Sequence, residues 1–154
     1  MGTHAIEAAV LRTVGLPRPY AVSRPLQIET LELDPPGRGE VLIDVLAAGL
    51  CHSGLSVIDG NRPRPVPMAL GHECAGRVRA LGADVADLAV GDLVIGVFVP
   101  SCRQCTPCTA GRLALCEPGA RANGAGTLLS GYHRLHAGTQ AIHHHLGVSA
   151  FATK

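Results

Sequence analysis

The stretch "LGHECAGRVRALG" (residues 70–82) carries two readings at once. Its second half alternates, with Val78 and Ala80 set against Arg77, Arg79 and Leu81. That period of two marks a half-buried β-strand. Its first half places His72 and Glu73 between glycines, where the backbone is free to kink and expose both side chains. A strand and a pair of candidate metal ligands therefore meet in one short segment.

Working outward, the same texture recurs. "EVLIDVLAAG" (40–49) sets Val41, Ile43 and Val45 against Leu42, Asp44 and Leu46, and it follows the turn-rich "DPPGRG" (34–39). "GDLVIGVFVP" (91–100) is a β-branched run entered through Gly91 and Asp92. Several short strands at this spacing predict a barrel or sandwich, a mainly β fold with short helices. Helical signals are weak: "SGLSVIDG" (53–60) predicts one or two turns and "CTPCTAGRLALC" (105–116) another. Residues 117–140, rich in Gly, Ala and Arg, predict a long excursion with little regular structure. No repeat, heptad or low-complexity tract is present.

Composition narrows the function classes. The 154 residues fit one domain, and the 47% apolar content, with no Trp and two each of Phe and Tyr, predicts an aliphatic core. Charged residues make up only 16% and the formal net charge is +1, too little to neutralise nucleic-acid phosphates, so no nucleic-acid partner is expected. The longest apolar run, "LAVGDLVIGVFV" (88–99), is broken by Asp92, and the N-terminal "MGTHAIEAAVLRTVG" lacks a basic lead-in. Neither a membrane span nor a leader is predicted, and a cytoplasmic location is expected.

In a reducing compartment, crowded cysteines point to metal or redox chemistry rather than disulfides. "CRQCTPCTAGRLALC" (102–116) spaces Cys102, Cys105, Cys108 and Cys116 as C-x2-C-x2-C-x7-C. That spacing lets four thiolates converge on one tetrahedral ion, zinc by preference, in a closed structural site. A merely redox-active cluster is the weaker reading of four regularly spaced thiols. A second set joins "GLCHSGL" (49–55) to the opening stretch: Cys51 at the end of the 40–49 strand, with His72 and Glu73. Cysteine and histidine are donors of the borderline softness that suits zinc. Each alone is weak, since a single Cys after a strand is usually a small buried apolar residue.

Together these motifs resemble the zinc-dependent medium-chain alcohol dehydrogenases. "GHECAGRVRALGADV" (71–85) is similar to that family's zinc signature through Gly71, His72, Glu73, Gly76 and Gly82, and "LCHS" (50–53) is similar to its first catalytic ligand segment. The likeness runs from about Ile6 through "HHLGVSAFAT" (144–153). It implies a GroES-like, partly open β-barrel with a structural-zinc lobe at about 100–117, spanning 1–154. It further implies that Cys51 and His72 are catalytic-zinc ligands. Glu73 is then a carboxylate beside the ion, either holding a ligand or serving as an alternate one. Ser53 would be the hydroxyl that takes the alcohol proton, and His52 the side chain facing the cofactor pyrophosphate. The implied cofactors are Zn2+ and, in a longer parent, NAD(P). The implied partner is a small-molecule alcohol or aldehyde, with homo-oligomerisation left open.

Departures from the family pattern are equally specific. Gly54 stands where an acidic residue usually orients the zinc-bound histidine, and Arg103 where a glycine eases the structural loop. No G-x-G-x-x-G occurs; "GAGTLL" (124–129) has Leu129 at the third position, so the Rossmann domain is expected to lie outside this sequence. The third catalytic cysteine is missing likewise. Two readings follow: the catalytic-domain portion of an NAD(P)-linked alcohol dehydrogenase, or an inactive zinc-stabilised barrel that binds a partner. The run His143, His144, His145 is expected to be structural or solvent-facing, because neighbours on a strand point to opposite faces.

Overall fold

The structure, a computed structural model, describes residues 2–154. Strand β1 (His4–Leu11) pairs antiparallel with β2 (Leu26–Leu33) along its whole length, from His4 opposite Leu33 to Leu11 opposite Leu26. A single helical turn, α1 (Tyr20–Ser23), lies in the connection. There follow β3 (Val41–Ala48), α2 (His52–Ile58), β4 (Met68–Ala69), β5 (Cys74–Leu81) and β6 (Leu93–Gly96). The chain ends with α3 (Thr106–Thr109), a 3-10 turn at Leu113–Leu115, α4 (Glu117–Ala125), β7 (Leu135–Ala137) and β8 (Gln140–His144).

Five strands close a barrel in the order β1-β2-β7-β8-β4, sealed by β4, which runs antiparallel to β1 and parallel to β8. A three-stranded sheet, β3-β5-β6, packs beside it. The mainly β barrel expected from the sequence is present, and its sheet is closed. The core is aliphatic: Ile6, Ala8 and Val10 of β1, Leu31 and Leu33 of β2, Leu135 and Ile142 meet Leu42 and Ala80 from the second sheet. Burying such side chains stabilises by about 1.5–3 kcal/mol each for the larger ones. A second cluster, Leu11, Val57, Met68 and Leu70, pins α2 to the barrel and so fixes where Cys51 and His52 stand.

The structure corrects the sequence reading at three places. The β1–β2 hairpin is an addition to the strands expected, and β1 gives little period-two signal because Ala8, Ala9, Val10 and Leu11 are all buried. Residues 117–140 are more regular than expected. Helix α4 forms because the Cys116 sulfur accepts the Gly119 N–H, Pro118 sits in the first turn, and Gly126 terminates it at φ 69°. Strand β6 covers only Leu93–Gly96 of the run 91–100, since pairing with β5 extends no further. β6 is an edge strand; its Leu93 and Ile95 are exposed, as is Val97 just after it.

One polar clamp ties the start of β3 to the loop before β7. Glu40 Oε2 accepts from the Gly37 N–H at 2.8 Å and from Arg134 Nε at 2.8 Å, while its Oε1 accepts from Ser130 at 2.6 Å. Burial alone pushes the Glu40 carboxyl up, but the hydrogen bonds from Arg134, Ser130 and Gly37 outweigh it and hold the group below its ordinary 4.5. A lowered folded value means the clamp contributes fully above the unfolded value, and its contribution drains away as pH falls through the folded one. Glu40→Gln is expected to cost about 2 kcal/mol in urea unfolding at neutral pH. The gap to wild type should narrow below about pH 4, and a gap that widens in acid contradicts this account.

Candidate metal centres

The first centre forms where β3, α2 and β5 converge. The β3–β5 pairing runs one step past Ala48, the Gly49 N–H donating to the Glu73 carbonyl at 2.9 Å, and so brings the two segments that follow and precede it together. Cys51 then caps α2 with extended backbone. On the other side, Gly71 adopts φ +92°, turning the chain so that His72 points inward while β5 begins at Cys74. Side-chain donor atoms of Cys51, His72 and Glu73 all lie within 4.8 Å of one another. Gly49 makes room for this: a Cβ there would strike the Glu73 carboxylate.

Ser53 sits at the same point. Its hydroxyl donates to Cys51 Sγ at 3.2 Å and lies 3.0 Å from His72 Nε2. Glu73 Oε1 is 3.7 Å from that nitrogen. His72 is only 5% exposed, walled by the edges of Phe98 and His145 at ring separations of 5.7 and 4.9 Å. One thiol, one imidazole and one carboxylate form a donor set of the kind zinc takes, with a position left for a further oxygen. His52, the first residue of α2, is exposed.

Gly54 contributes nothing to orient His72; the space beside its Cα is open.

The second centre is the 102–116 loop. The sulfurs of Cys102, Cys105, Cys108 and Cys116 lie within 4.8 Å of one another, with Cys105 and Cys116 4.0 Å apart. Zinc–sulfur bonds of about 2.3 Å place tetrahedral sulfurs about 3.8 Å apart, so the spacing fits. Backbone N–H groups are aimed at the sulfurs: Cys105 and Gln104 donate to Cys102, while Cys102 and Gly119 donate to Cys116, at 3.2–3.5 Å. Donation from Gln104 and Cys105 holds the Cys102 thiol down at about 6, whereas burial, with Cys105 next in effect, pushes Cys108 up to about 12. Four sulfurs converging at this spacing, with N–H donors aimed at two of them, form a donor set that suits a tetrahedral zinc ion. Arg103 takes the left-handed φ of 60° that the loop demands, the conformation a glycine would adopt more readily. Cys74, the sixth cysteine, is buried and belongs to neither set.

The histidine run divides three ways. His143 Nδ1 meets His133 Nε2 at 3.1 Å, and buried His144 accepts the Arg134 N–H at 3.1 Å. Burial pushes His144 down to about 4. His145 turns instead to His72, and burial, then His72, Arg64 and Arg62, push it down to about 4 as well. Sequence reasoning gave His145 only a structural or solvent-facing role within the histidine run, and did not single out Phe98, Asn123, Arg62 or Arg64. The arginines in "NRPRPVP" (61–67), so close to the Gly71–His72 pair, were a signal available to find them.

Comparison with known proteins bears on both centres. The alcohol dehydrogenase GroES-like domain family matches residues 37–146. The alcohol dehydrogenase class-3 of Drosophila melanogaster is 37% identical over 134 residues, covering 86% of this chain and 35% of that protein. An alcohol dehydrogenase zinc-binding domain protein from Burkholderia ambifaria superposes with TM-score 0.85 at 37% identity, over 98% of this chain and 39% of the other. The benzyl alcohol dehydrogenase of Acinetobacter calcoaceticus gives 0.79 at 34% identity, over 97% and 38%. The chain thus spans little more than a third of the length of the relatives it matches.

Proposed function

Because this chain belongs to the alcohol dehydrogenase GroES-like domain family, we propose that it supplies the zinc-binding, alcohol-binding part of an NAD(P)-linked alcohol dehydrogenase. The observation that carries this reading is the seat of Ser53: its hydroxyl lies within hydrogen-bond reach of both the Cys51 sulfur and the His72 nitrogen. A proton-carrying oxygen, a thiol, an imidazole and a carboxylate meet at one half-buried point, as oxidation of an alcohol requires.

When bound at Cys51 and His72, zinc would act as a Lewis acid on the substrate oxygen while a nicotinamide takes up hydride. The chain's own residues do the rest. Ser53 hydrogen-bonds the incoming hydroxyl and passes its proton outward. Phe98 and His145 exclude water and hold the His72 ring. Glu73 balances charge beside His72 or takes its place as a ligand. His52, exposed at the start of α2, is available to cofactor phosphate. Cys102, Cys105, Cys108 and Cys116 serve stability, with zinc standing in for apolar contacts that the lobe lacks. The unit proposed is one barrel domain over 1–154 with its lobe at about 100–117. The absence of any helix long and apolar enough to cross a membrane, among the described residues, accords with a cytoplasmic setting. The exposed Leu93 and Ile95 of β6, with Val97 just beyond it, offer a surface for a second copy or a further domain.

The vacancy at Gly54 favours a second reading, a domain that binds metal there too weakly for turnover. Titration with cobalt(II) separates the two. We expect one ion taken tightly and a second held at least about 10-fold more weakly. The second should be lost in His72→Ala, and its absorption bands should shift when n-butanol is added. A second ion indifferent to n-butanol leaves only the inert reading; binding that survives His72→Ala refutes the assignment of the centre.

A further inference from the structure

His133 and His143 face each other outside both metal centres. His143 lies on β8 and His133 just before β7, so the two rings meet across an antiparallel hairpin. His133 Nε2 and His143 Nδ1 are 3.1 Å apart, and the ring planes stand at 73° with centroids 4.9 Å apart. Both residues are half-buried. Hydrogen bonds on either side hold them in place. The His143 N–H donates to the Pro67 carbonyl at 2.8 Å. Next to His133, the Arg134 N–H donates to His144 Nε2 at 3.1 Å, and the Arg134 carbonyl accepts from the Asp34 N–H at 2.8 Å. Gly126, just after α4, keeps one side of His143 open, since a Cβ there would lie 2.9 Å from Nδ1.

The contact alone needs only one proton between the rings, yet the separation is also that of two ligands on one ion. Metal–nitrogen bonds of about 2.0–2.1 Å, at tetrahedral or octahedral angles, put the nitrogens about 2.8–3.4 Å apart. The ring that donates in the contact moves its proton to its far nitrogen when an ion binds. Neither far nitrogen, His133 Nδ1 or His143 Nε2, holds a hydrogen bond among the described residues, and both reach water. Imidazole pairs suit zinc, copper and nickel. No third cysteine, histidine or carboxylate donor completes the set among the described residues, so water fills the remaining positions. His136, close by, is engaged instead by Asp34 at 2.9 Å.

We propose that His133 and His143 form a third metal site, a two-imidazole seat for zinc that fastens the segment entering β7 to β8. With two protein ligands against three or four, it fills after both cysteine-containing centres. It holds no sulfur, which keeps it distinct from them in any thiolate spectrum. The site is independent of the alcohol chemistry assigned to the Cys51/His72 centre.

The test is zinc chloride titrated into the isotope-labelled chain, followed by nuclear magnetic resonance of the imidazole nitrogens. Once the cysteine-containing centres are filled, His133 Nε2 and His143 Nδ1 are expected to shift together with a single midpoint. His133→Gln and His143→Gln should each weaken this last step at least about 10-fold, since a lost ligand costs no less than a lost outer-shell partner. The earlier steps should stay as they were. His136→Gln removes a neighbouring imidazole and should leave every step unchanged. The thermal midpoint should rise further as the last step fills in the unaltered chain, and not in the two site variants. Ring signals of His133 and His143 that stay fixed in excess zinc, or that move with different midpoints, overturn the proposal. So does a last step that survives either site variant, or one weakened as much by His136→Gln. The ring signals of the unaltered chain decide the matter even where a substitution unfolds the hairpin.

Discussion

Cys105→Ser is expected to lower the thermal midpoint by about 10 °C, corresponding to about 3 kcal/mol for a chain of this size. The reason is the composition of the lobe. Between Pro100 and Gly119 the chain contributes only one helical turn, one 3-10 turn and little buried apolar surface: Leu113 and Leu115 are exposed. Its order depends on the four sulfurs and on the N–H groups that converge on them. Removing one sulfur leaves three donors and breaks the tetrahedral set, and binding free energy of a structural zinc is folding free energy. Cys74→Ser is the control. Its sulfur is buried against β6, outside both ligand sets, so that variant should lose less than half as much and keep its response to a chelator. Wild type treated with chelator should fall to the level of Cys105→Ser, which itself should no longer respond. Equal losses in the two variants, or a chelator response that persists in Cys105→Ser, would contradict the assignment.

Gly71→Ala should have the second large effect, and it reaches both stability and the first centre. Gly71 has φ +92°, a conformation that costs an L-residue about 1 kcal/mol or more. Its added Cβ would also run into the Phe151 backbone nitrogen and ring, and into the carbonyl carbon of Ala150. These groups cannot retreat cheaply, because Ala150 N–H donates to the Gly71 carbonyl and Phe151 N–H to the Leu70 carbonyl, each at 3.0 Å. Strain and overpacking together are expected to cost about 3 kcal/mol in denaturant unfolding. Because His72 follows directly, the variant should bind the second, weaker cobalt ion about 10-fold less well while retaining the first. Loss of the tight ion instead would show that the two centres are not independent.

What the sequence made legible depended on where chemistry and period coincided. Strands β3 and β5 were readable because alternation and Gly/Pro punctuation agreed, although bulges between Leu42 and Ile43 and between Val45 and Ala47 leave Leu42 buried and Leu46 exposed. The four-cysteine loop was readable because its spacing is its geometry. β1 escaped notice because barrel closure buries both faces of its second half, which erases the period of two. β2 was within reach: "LQIETLEL" (26–33) alternates, and only Leu31 and Leu33 are fully inward. Helix α4 carried Glu117, Pro118 and Gly126 as start and stop signals, outweighed in the reading by its glycines. His145 could not be assigned from spacing, since only the fold sets a residue of the β8 exit against His72, some seventy positions away.

The most direct test of the central claim is zinc-edge X-ray absorption on the chain holding a single equivalent of zinc. The account predicts four sulfur neighbours at about 2.3 Å and no nitrogen or oxygen donor. A sphere containing imidazole or carboxylate at that stoichiometry, or folded chain that takes up no zinc, would contradict it.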